Sequence, residues 1–132
     1  MLLDANARRA AFLETVVADL GLVDRVTVVA QRAERAAHLD ELRGAFDLVV
    51  SRSFGPPAVT AECGTGFLRV GGRLLVSEPP AETVDRWPAG PLAELGLADH
   101  GRHGPVRILE QVASAPDRFP RRVGVPTKRP LW

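Results

Sequence analysis

Acidic side chains stand shortly after two of the short apolar segments that this sequence predicts to be buried strands. Asp4 follows Leu2–Leu3, and Ala33 and Glu34 follow Val26–Ala30. A carboxylate at a strand end can accept hydrogen bonds from both hydroxyls of a ribose, and a small residue beside an acid can pack against an adenine and hydrogen-bond it. The alternatives are an N-cap for Asp4 and an ordinary helix start for Ala33 and Glu34.

An arginine follows a third predicted strand. Arg52 comes two residues after Phe46–Val50, where a guanidinium could bind a carboxylate or a phosphate through two hydrogen bonds; the alternative is a solvated arginine. His100 and His103 lack cysteine partners at zinc-site spacing, so we expect no metal. The single Cys63 cannot form an internal disulfide, and we expect it to be a buried packing residue. The sequence nominates no catalytic residue.

Short and longer apolar stretches alternate along the chain, and this alternation indicates the fold. Short β-branched runs predict strands, and longer stretches with apolar residues three and four apart predict helices. Their alternation favours an α/β fold, a mostly parallel sheet with helices on both faces, followed by an antiparallel hairpin. Ligands of such sheets bind beyond the carboxyl ends of the strands. We predict strands at Leu2–Leu3, Val26–Ala30, Phe46–Val50, Arg73–Ser77, Leu97–His100 and Val106–Val112, and helices at Ala7–Leu20, Glu34–Arg43 and Pro57–Leu68.

Charge is distributed unevenly along the 132 residues. Residues 1–101 contain 10 arginines and 14 acidic residues, a net charge of −4, whereas residues 102–132 contain 7 basic and 2 acidic residues, a net charge of +5. The basic end is a candidate phosphate-binding surface. Because prolines recur after residue 113, we predict a domain at 1–113 followed by an extended basic tail at 114–132.

The composition narrows the class of protein. Hydrophobic residues make up 45% and charged residues 25% of the chain, which is typical of a globular protein and excludes a disordered tail or a fibre. The sequence has no apolar run of about 18 residues and no secretory signal pattern. We therefore expect a cytoplasmic protein with no membrane partner.

Four stretches resemble the small-subunit ribosomal RNA methyltransferase G family, also called glucose-inhibited division protein B. Leu2–Leu13 resembles the strand, acid and helix of that family. Gln31–Glu34 is similar to its Gly-Arg-Ala-Glu motif, and Ser51–Phe54 to its Ala-Arg-Ala-Val motif. Phe119–Leu131 resembles its C-terminal Tyr-Pro-Arg-Arg-x-Gly-x-Pro-x-Lys-Arg-Pro-Leu motif, which is long and specific. The resemblance extends over the whole chain and is weakest at Pro79–Gly104.

The resemblance implies a Rossmann-like class I methyltransferase fold, S-adenosyl-L-methionine as cofactor, and ring nitrogen 7 of a guanine in small-subunit ribosomal RNA as methyl acceptor. Nitrogen 7 already carries a lone pair, so the transfer needs alignment of the reacting atoms and no general base. The basic end would contact RNA phosphates. The resemblance assigns cofactor binding to Asp4, Ala33, Glu34 and Arg52, and the candidates for RNA binding are Arg121, Arg122, Lys128 and Arg129.

The sequence departs from the family in two places. The family has helices, a first strand and a glycine-rich loop before the acid that corresponds to Asp4. We therefore expect an N-terminally truncated domain that binds the cofactor poorly alone, with the missing strand supplied by a longer protein or a partner chain. Without that strand, Leu2–Leu3 and Phe46–Val50 would lie about two strand spacings apart. Ser77 and Glu78 replace the family's Lys-Gly, which would put an acid at the cleft.

Two other functions remain open at this point. A non-catalytic RNA- or ribosome-binding remnant would explain the basic end and the missing glycine-rich loop. A class I methyltransferase with a different substrate would explain the replacement at Ser77 and Glu78, although the basic C-terminal motif favours ribosomal RNA.

Overall fold

The computed structural model describes residues 1–80 and 85–132. Strands and helices alternate through most of these residues, which confirms the predicted α/β class. The strands are β1 Leu2–Leu3, β2 Val28–Val29, β3 Phe46–Ser51, β4 Leu68–Ser77, β5 Leu97–His103 and β6 Val106–Gln111. The helices are α1 Ala7–Asp19, α2 Ala33–Ala36, α3 Pro57–Thr65, α4 Ala89–Glu94 and α5 Val125–Lys128.

The strands form two sheets. β1 and β2 pair in parallel, and a second sheet has the order β3-β4-β6-β5, in which only β3 and β4 are parallel. The C-terminal hairpin of β5 and β6 is antiparallel, as predicted, and β6 is also antiparallel to β4. The prediction of a mostly parallel sheet is therefore wrong, because parallel and antiparallel pairs are equal in number among the described residues. β1 and β3 lie in different sheets, as expected.

Helices cover one face of the four-stranded sheet, where both faces were predicted to be covered. Leu74 of β4 and Leu109 of β6 lie opposite each other, are fully buried and belong to the main core. On the other face, Leu48 is 51% exposed and Val50 is 69% exposed. Leu48 and Val50 lie on β3, which is the edge strand opposite the hairpin.

The first two helices differ in how well the sequence predicts them. α1 begins and ends within one residue of the prediction, because Asn6 caps it: the Asn6 Oδ1 accepts from the backbone N–H groups of Arg8 and Arg9 at 3.0 and 3.1 Å. α2 ends at Ala36 instead of Arg43, and the residues that follow it form turns. None of the helices in the described part of the chain is long and apolar enough to cross a membrane.

Among the strands, β2, β4 and β5 differ most from the predicted bounds, and β5 ends at His103 instead of His100. β2 is shorter, because Val26 closes a turn in which its N–H donates to the Leu22 carbonyl at 2.9 Å. β4 begins at Leu68 instead of the predicted Arg73, and its pairing with β3 includes a bulge. A Cβ at Gly72 would lie 2.9 Å from the Phe46 carbonyl oxygen, so only glycine fits where the bulge brings the two strands together.

The C-terminal segment packs against the domain. The prediction of an extended tail is wrong for Val125–Lys128, which form α5. Phe119 is 2% exposed, and Pro120 and Pro126 are also buried. The Arg43 guanidinium donates to the carbonyls of Phe119 and Ala115 at 3.0 and 3.1 Å. Residues 114–132 are therefore part of the folded unit, although their prolines predicted otherwise.

Candidate functional site

The carboxylate of Asp4 lies at the carboxyl end of β1. The Asp4 backbone N–H donates to the Val29 carbonyl of β2 at 3.2 Å. Its two carboxylate oxygens accept from Arg9 Nε at 2.7 Å and Nη2 at 2.9 Å, and Oδ1 also accepts from the Asn6 N–H at 2.7 Å. The Arg9 hydrogen bonds, followed by that of Asn6, lower the pKa of Asp4. Asp4 is therefore ionised at neutral pH, and its present partner is the largely exposed Arg9.

Glu34 and Ala33 lie in α2, after β2, and both are buried. The Glu34 Oε1 accepts from Arg32 Nη2 at 2.9 Å and from the Gly124 N–H at 3.0 Å. Burial opposes ionisation of this carboxyl, but the hydrogen bonds from Arg32 and Gly124 outweigh it and lower the pKa of Glu34. Glu34 thus links α2 to the C-terminal segment, a contact across 90 residues that the sequence did not reveal.

Polar groups follow β3 at its carboxyl end. Arg52 is exposed, and its side chain makes no hydrogen bond or ion pair within residues 1–80 and 85–132. The neighbouring Ser51 is different, because its hydroxyl is buried and has no partner among the described residues. Ser53 adopts a positive φ of 52°, which bends the chain away from the strand direction. Ser51 begins the stretch Ser51–Phe54 that resembles a family motif, but the sequence nominated only Arg52 of that stretch as a site residue.

One apolar cluster joins the elements that carry these groups. Leu3 of β1 and Val49 of β3 pack against the cluster that contains Ala33 of α2 and Cys63 of α3. This packing places the elements that carry the candidate residues around one core cluster, although β1 and β3 belong to different sheets. No hydrogen bond or ion pair in the described part of the chain links Asp4, Glu34 and Arg52 to one another.

Glu78 is the acid that stands where the family has Lys-Gly. Its side chain is 4% exposed and lies beside two arginines: Arg107 Nε donates to its Oε2 at 3.2 Å, and Arg86 Nη1 is 3.5 Å from its Oε1. Trp87 Nε1 donates to the same Oε1 at 2.7 Å. These contacts join the end of β4 to β6 and to the segment before α4. The two arginines balance the negative charge of Glu78, so this carboxylate does not repel an anion.

The predicted RNA-binding residues separate into two groups. Arg121 donates to both carboxylate oxygens of the fully buried Glu62 of α3, at 2.8 and 2.6 Å, and also to the Arg129 carbonyl. This hydrogen bonding to Glu62 raises the pKa of Arg121. In contrast, Arg122, Lys128 and Arg129 are exposed, and their side chains make no hydrogen bond or ion pair with the residues described. Of the four predicted RNA-binding residues, these three present free charge.

Thiol chemistry and metal binding have little support among the residues described. Cys63 is buried, and this burial, with the nearby charges of Glu34 and Glu62, raises the pKa of its thiol to about 12. A thiol of this kind is not a nucleophile at neutral pH. Residues 1–80 and 85–132 contain no group of three His, Cys, Asp or Glu side chains that could hold a metal ion.

Comparison with known proteins identifies the family. The family described as rRNA small subunit methyltransferase G matches residues 1–79 of this chain. A ribosomal RNA small subunit methyltransferase G of Lactobacillus johnsonii is 33% identical over 98% of the chain. The chain belongs to the rRNA small subunit methyltransferase G family. A second relative of the same name, from Parasynechococcus marenigrum, is 36% identical over 98% of the chain. The chain spans 59% and 57% of the length of these two relatives.

A solved structure supports the fold assignment. A 16S rRNA N2 G1207 methyltransferase of T. thermophilus, solved in complex with AdoMet and guanosine, superposes with a TM-score of 0.53 and is 27% identical. The match covers 86% of this chain and 29% of that protein. The predicted Rossmann-like methyltransferase fold is thereby confirmed, with the mixed sheet described above.

Proposed function

We propose that this chain is part of an S-adenosyl-L-methionine-dependent enzyme that methylates nitrogen 7 of a guanine in small-subunit ribosomal RNA. The observation that carries the proposal is the match to family members over 98% of the chain. The placement of Asp4, Glu34 and Arg52 after β1, β2 and β3 supports it, because ligands of such sheets bind beyond the strand ends.

The donor and acceptor groups present fit the cofactor. The Asp4 carboxylate would accept hydrogen bonds from the ribose hydroxyls, once Arg9 gives way. Ala33 and Glu34 would lie against the adenine, and Arg52 would bind the carboxylate of the methionine part. The buried hydroxyl of Ser51 lacks a partner in the described structure, and a bound ligand would satisfy it. The cofactor supplies a methyl group on a positively charged sulfur.

The residues of this chain would contribute orientation. Nitrogen 7 of guanine has its lone pair available, so no side chain has to remove a proton before attack. Holding the nucleophile in line with the methyl group is then the main source of rate enhancement. The high pKa of Cys63 removes the one thiol as a nucleophile. We accordingly assign no catalytic residue.

The C-terminal segment would hold the RNA. Arg122, Lys128 and Arg129 present free charge that would contact phosphates. Arg121 would act indirectly, by anchoring the segment to Glu62. Arg121, one of the four predicted RNA-binding residues, is thus assigned a positioning role instead of a direct contact with RNA.

A non-catalytic RNA-binding module is the second candidate. Two observations favour it: Arg9 occupies both carboxylate oxygens of Asp4, and the Gly124 N–H and Arg32 occupy Glu34. A protein that never bound the cofactor would keep these internal contacts at no cost to function.

Transfer of a tritiated methyl group from S-adenosyl-L-methionine to purified small-subunit ribosomal RNA tests the proposal. We expect label in 7-methylguanosine on nuclease digestion, and about tenfold less label with Arg52→Ala at low cofactor concentration, as for loss of one charge-assisted hydrogen-bond pair. Arg25→Ala, an exposed arginine outside the site, is the matched control. RNA binding without any label would favour the non-catalytic module.

A further inference from the structure

A hollow lies between α2 and the C-terminal segment, and it shares Glu34 with the candidate cofactor site. Its volume is about 520 Å³, within the usual size of ligand sites. The hollow is lined by Glu34, Arg35, His38, Arg118, Pro120, Arg122 and Val123. Three of these residues are arginines, and they come from α2 and from two places in the C-terminal segment.

The hollow carries a positive charge that the protein leaves unbalanced. Arg35 and Arg122 are exposed, and neither side chain makes a hydrogen bond or ion pair within the described residues. Arg118 is 3.9 Å from Glu94, but both side chains are at least 60% exposed, so this pair is weak. The one acid in the lining, Glu34, is already engaged by Arg32 and Gly124. The arginines are therefore available to an external anion.

The walls of the hollow are held in place by internal contacts. His38 Nε2 and the carbonyl oxygen of Pro120 are 2.7 Å apart, so the imidazole N–H donates to that carbonyl. Arg43 donates to the Phe119 carbonyl at 3.0 Å, and Gly124 donates to Glu34 at 3.0 Å. These contacts hold Arg35 opposite the segment that carries Arg118 and Arg122, so binding has to order the arginine side chains but not the backbone that carries them.

We infer that this hollow binds a phosphate group of an RNA strand, with Arg35, Arg118 and Arg122 as its donors. Several guanidinium groups around one opening suit the tetrahedral, multiply accepting phosphate better than a carboxylate. The arginines are exposed at the mouth, an arrangement that suits a continuous strand passing over the hollow better than an enclosed small molecule. The inference rests on the proposed function only in sharing RNA as the partner, and it adds Arg35 and Arg118 to the contact surface.

Fluorescence anisotropy with a labelled single-stranded RNA of about 12 nucleotides tests the inference, measured over a range of NaCl concentrations with the full chain. The double variant Arg35→Ala/Arg122→Ala is compared with Arg8→Ala/Arg25→Ala, which removes the same charge from exposed positions elsewhere. We expect the first to lose at least tenfold in affinity and the second less than twofold. The slope of log Kd against log salt should fall by about 0.7 for the first, since the hollow holds one phosphate and each phosphate contact on a single strand contributes about 0.7.

Three results would overturn the inference: equal losses in the two double variants, no RNA binding by the wild-type chain, or displacement of the RNA by inorganic phosphate at a concentration near the RNA Kd, which would make free phosphate the ligand. Arg35→Lys/Arg122→Lys guards against misfolding, and it should keep most of the salt slope while losing part of the affinity. Hollow-dependent RNA binding without methyl transfer would contradict only the proposed function.

Discussion

Burial separates the roles of the acidic side chains around the candidate site. Asp4 is partly exposed and pairs with Arg9, five residues away, whereas Glu34 is buried and holds Gly124. Sequence spacing predicted the positions of both acids at strand ends. It could not predict the contact of Glu34 with Gly124, because Gly124 is 90 residues away and is brought close only by the packing of the C-terminal segment.

The low pKa of Glu34 predicts a contribution to stability that depends on pH. Its folded-state pKa lies below the ordinary value of 4.5, so the unfolded chain takes up the proton first. The contribution is fully present above about pH 4.5 and is lost as the pH falls through the folded-state value. In urea denaturation, we expect the free energy of unfolding to fall less between about pH 7 and pH 3 for Glu34→Gln than for the wild type.

The exposed Glu14 of α1 provides the control for this experiment. Glu14→Gln should show the same pH dependence as the wild type, because it removes an exposed side chain that makes no hydrogen bond or ion pair with the residues described. Identical pH profiles for Glu34→Gln and the wild type would contradict the structural role of the Glu34 carboxylate.

Among the helices and strands, the sequence pattern predicted well those whose ends depend on residues nearby in the chain. Asn6 caps α1, and the hairpin of β5 and β6 closes over a short turn, and both were predicted well. The end of α2 and the existence of α5 were not, because both depend on distant contacts. Arg43 ties the chain after α2 to the carbonyls of residues 115–119, and Arg121 ties the segment before α5 to Glu62.

The ion pair between Glu62 and Arg121 predicts how firmly the C-terminal segment is docked. Glu62 is fully buried, whereas Arg121 is 27% exposed. Removing one partner of a buried pair typically costs 3 to 5 kcal/mol, and the exposure of Arg121 places the expected loss for Glu62→Gln near the lower limit, at about 3 kcal/mol of unfolding free energy. Urea denaturation measures this loss, and limited trypsin digestion should cut the segment faster in the variant.

Glu41→Gln, at an exposed position, is the matched control and should change the unfolding free energy by less than about 0.5 kcal/mol. Equal stability and equal trypsin sensitivity in Glu62→Gln and the wild type would show that the segment is held by its apolar contacts alone.

The molecule contains two sheets, and the candidate site lies at the boundary between them. β1 and β2 form one sheet and β3 begins the other, so Asp4 and Arg52 belong to different sheets. The sequence predicted this separation, through the resemblance to a family with a strand between the two. The exposed face of Leu48 and Val50 was not predicted, because apolar strands suggested cover on both sides. The site therefore depends on the cluster around Ala33 that joins the sheets.

Calorimetric titration of S-adenosyl-L-methionine into the chain tests most directly whether the strand ends form one cofactor site. We expect binding weaker than low-micromolar for the wild type, about tenfold weaker binding for Asp4→Asn, and binding tighter by at most about fivefold for Arg9→Ala, which frees the carboxylate from an exposed ion pair. Equal affinity of the wild type, Asp4→Asn and Arg9→Ala would contradict the placement of the cofactor at these strand ends.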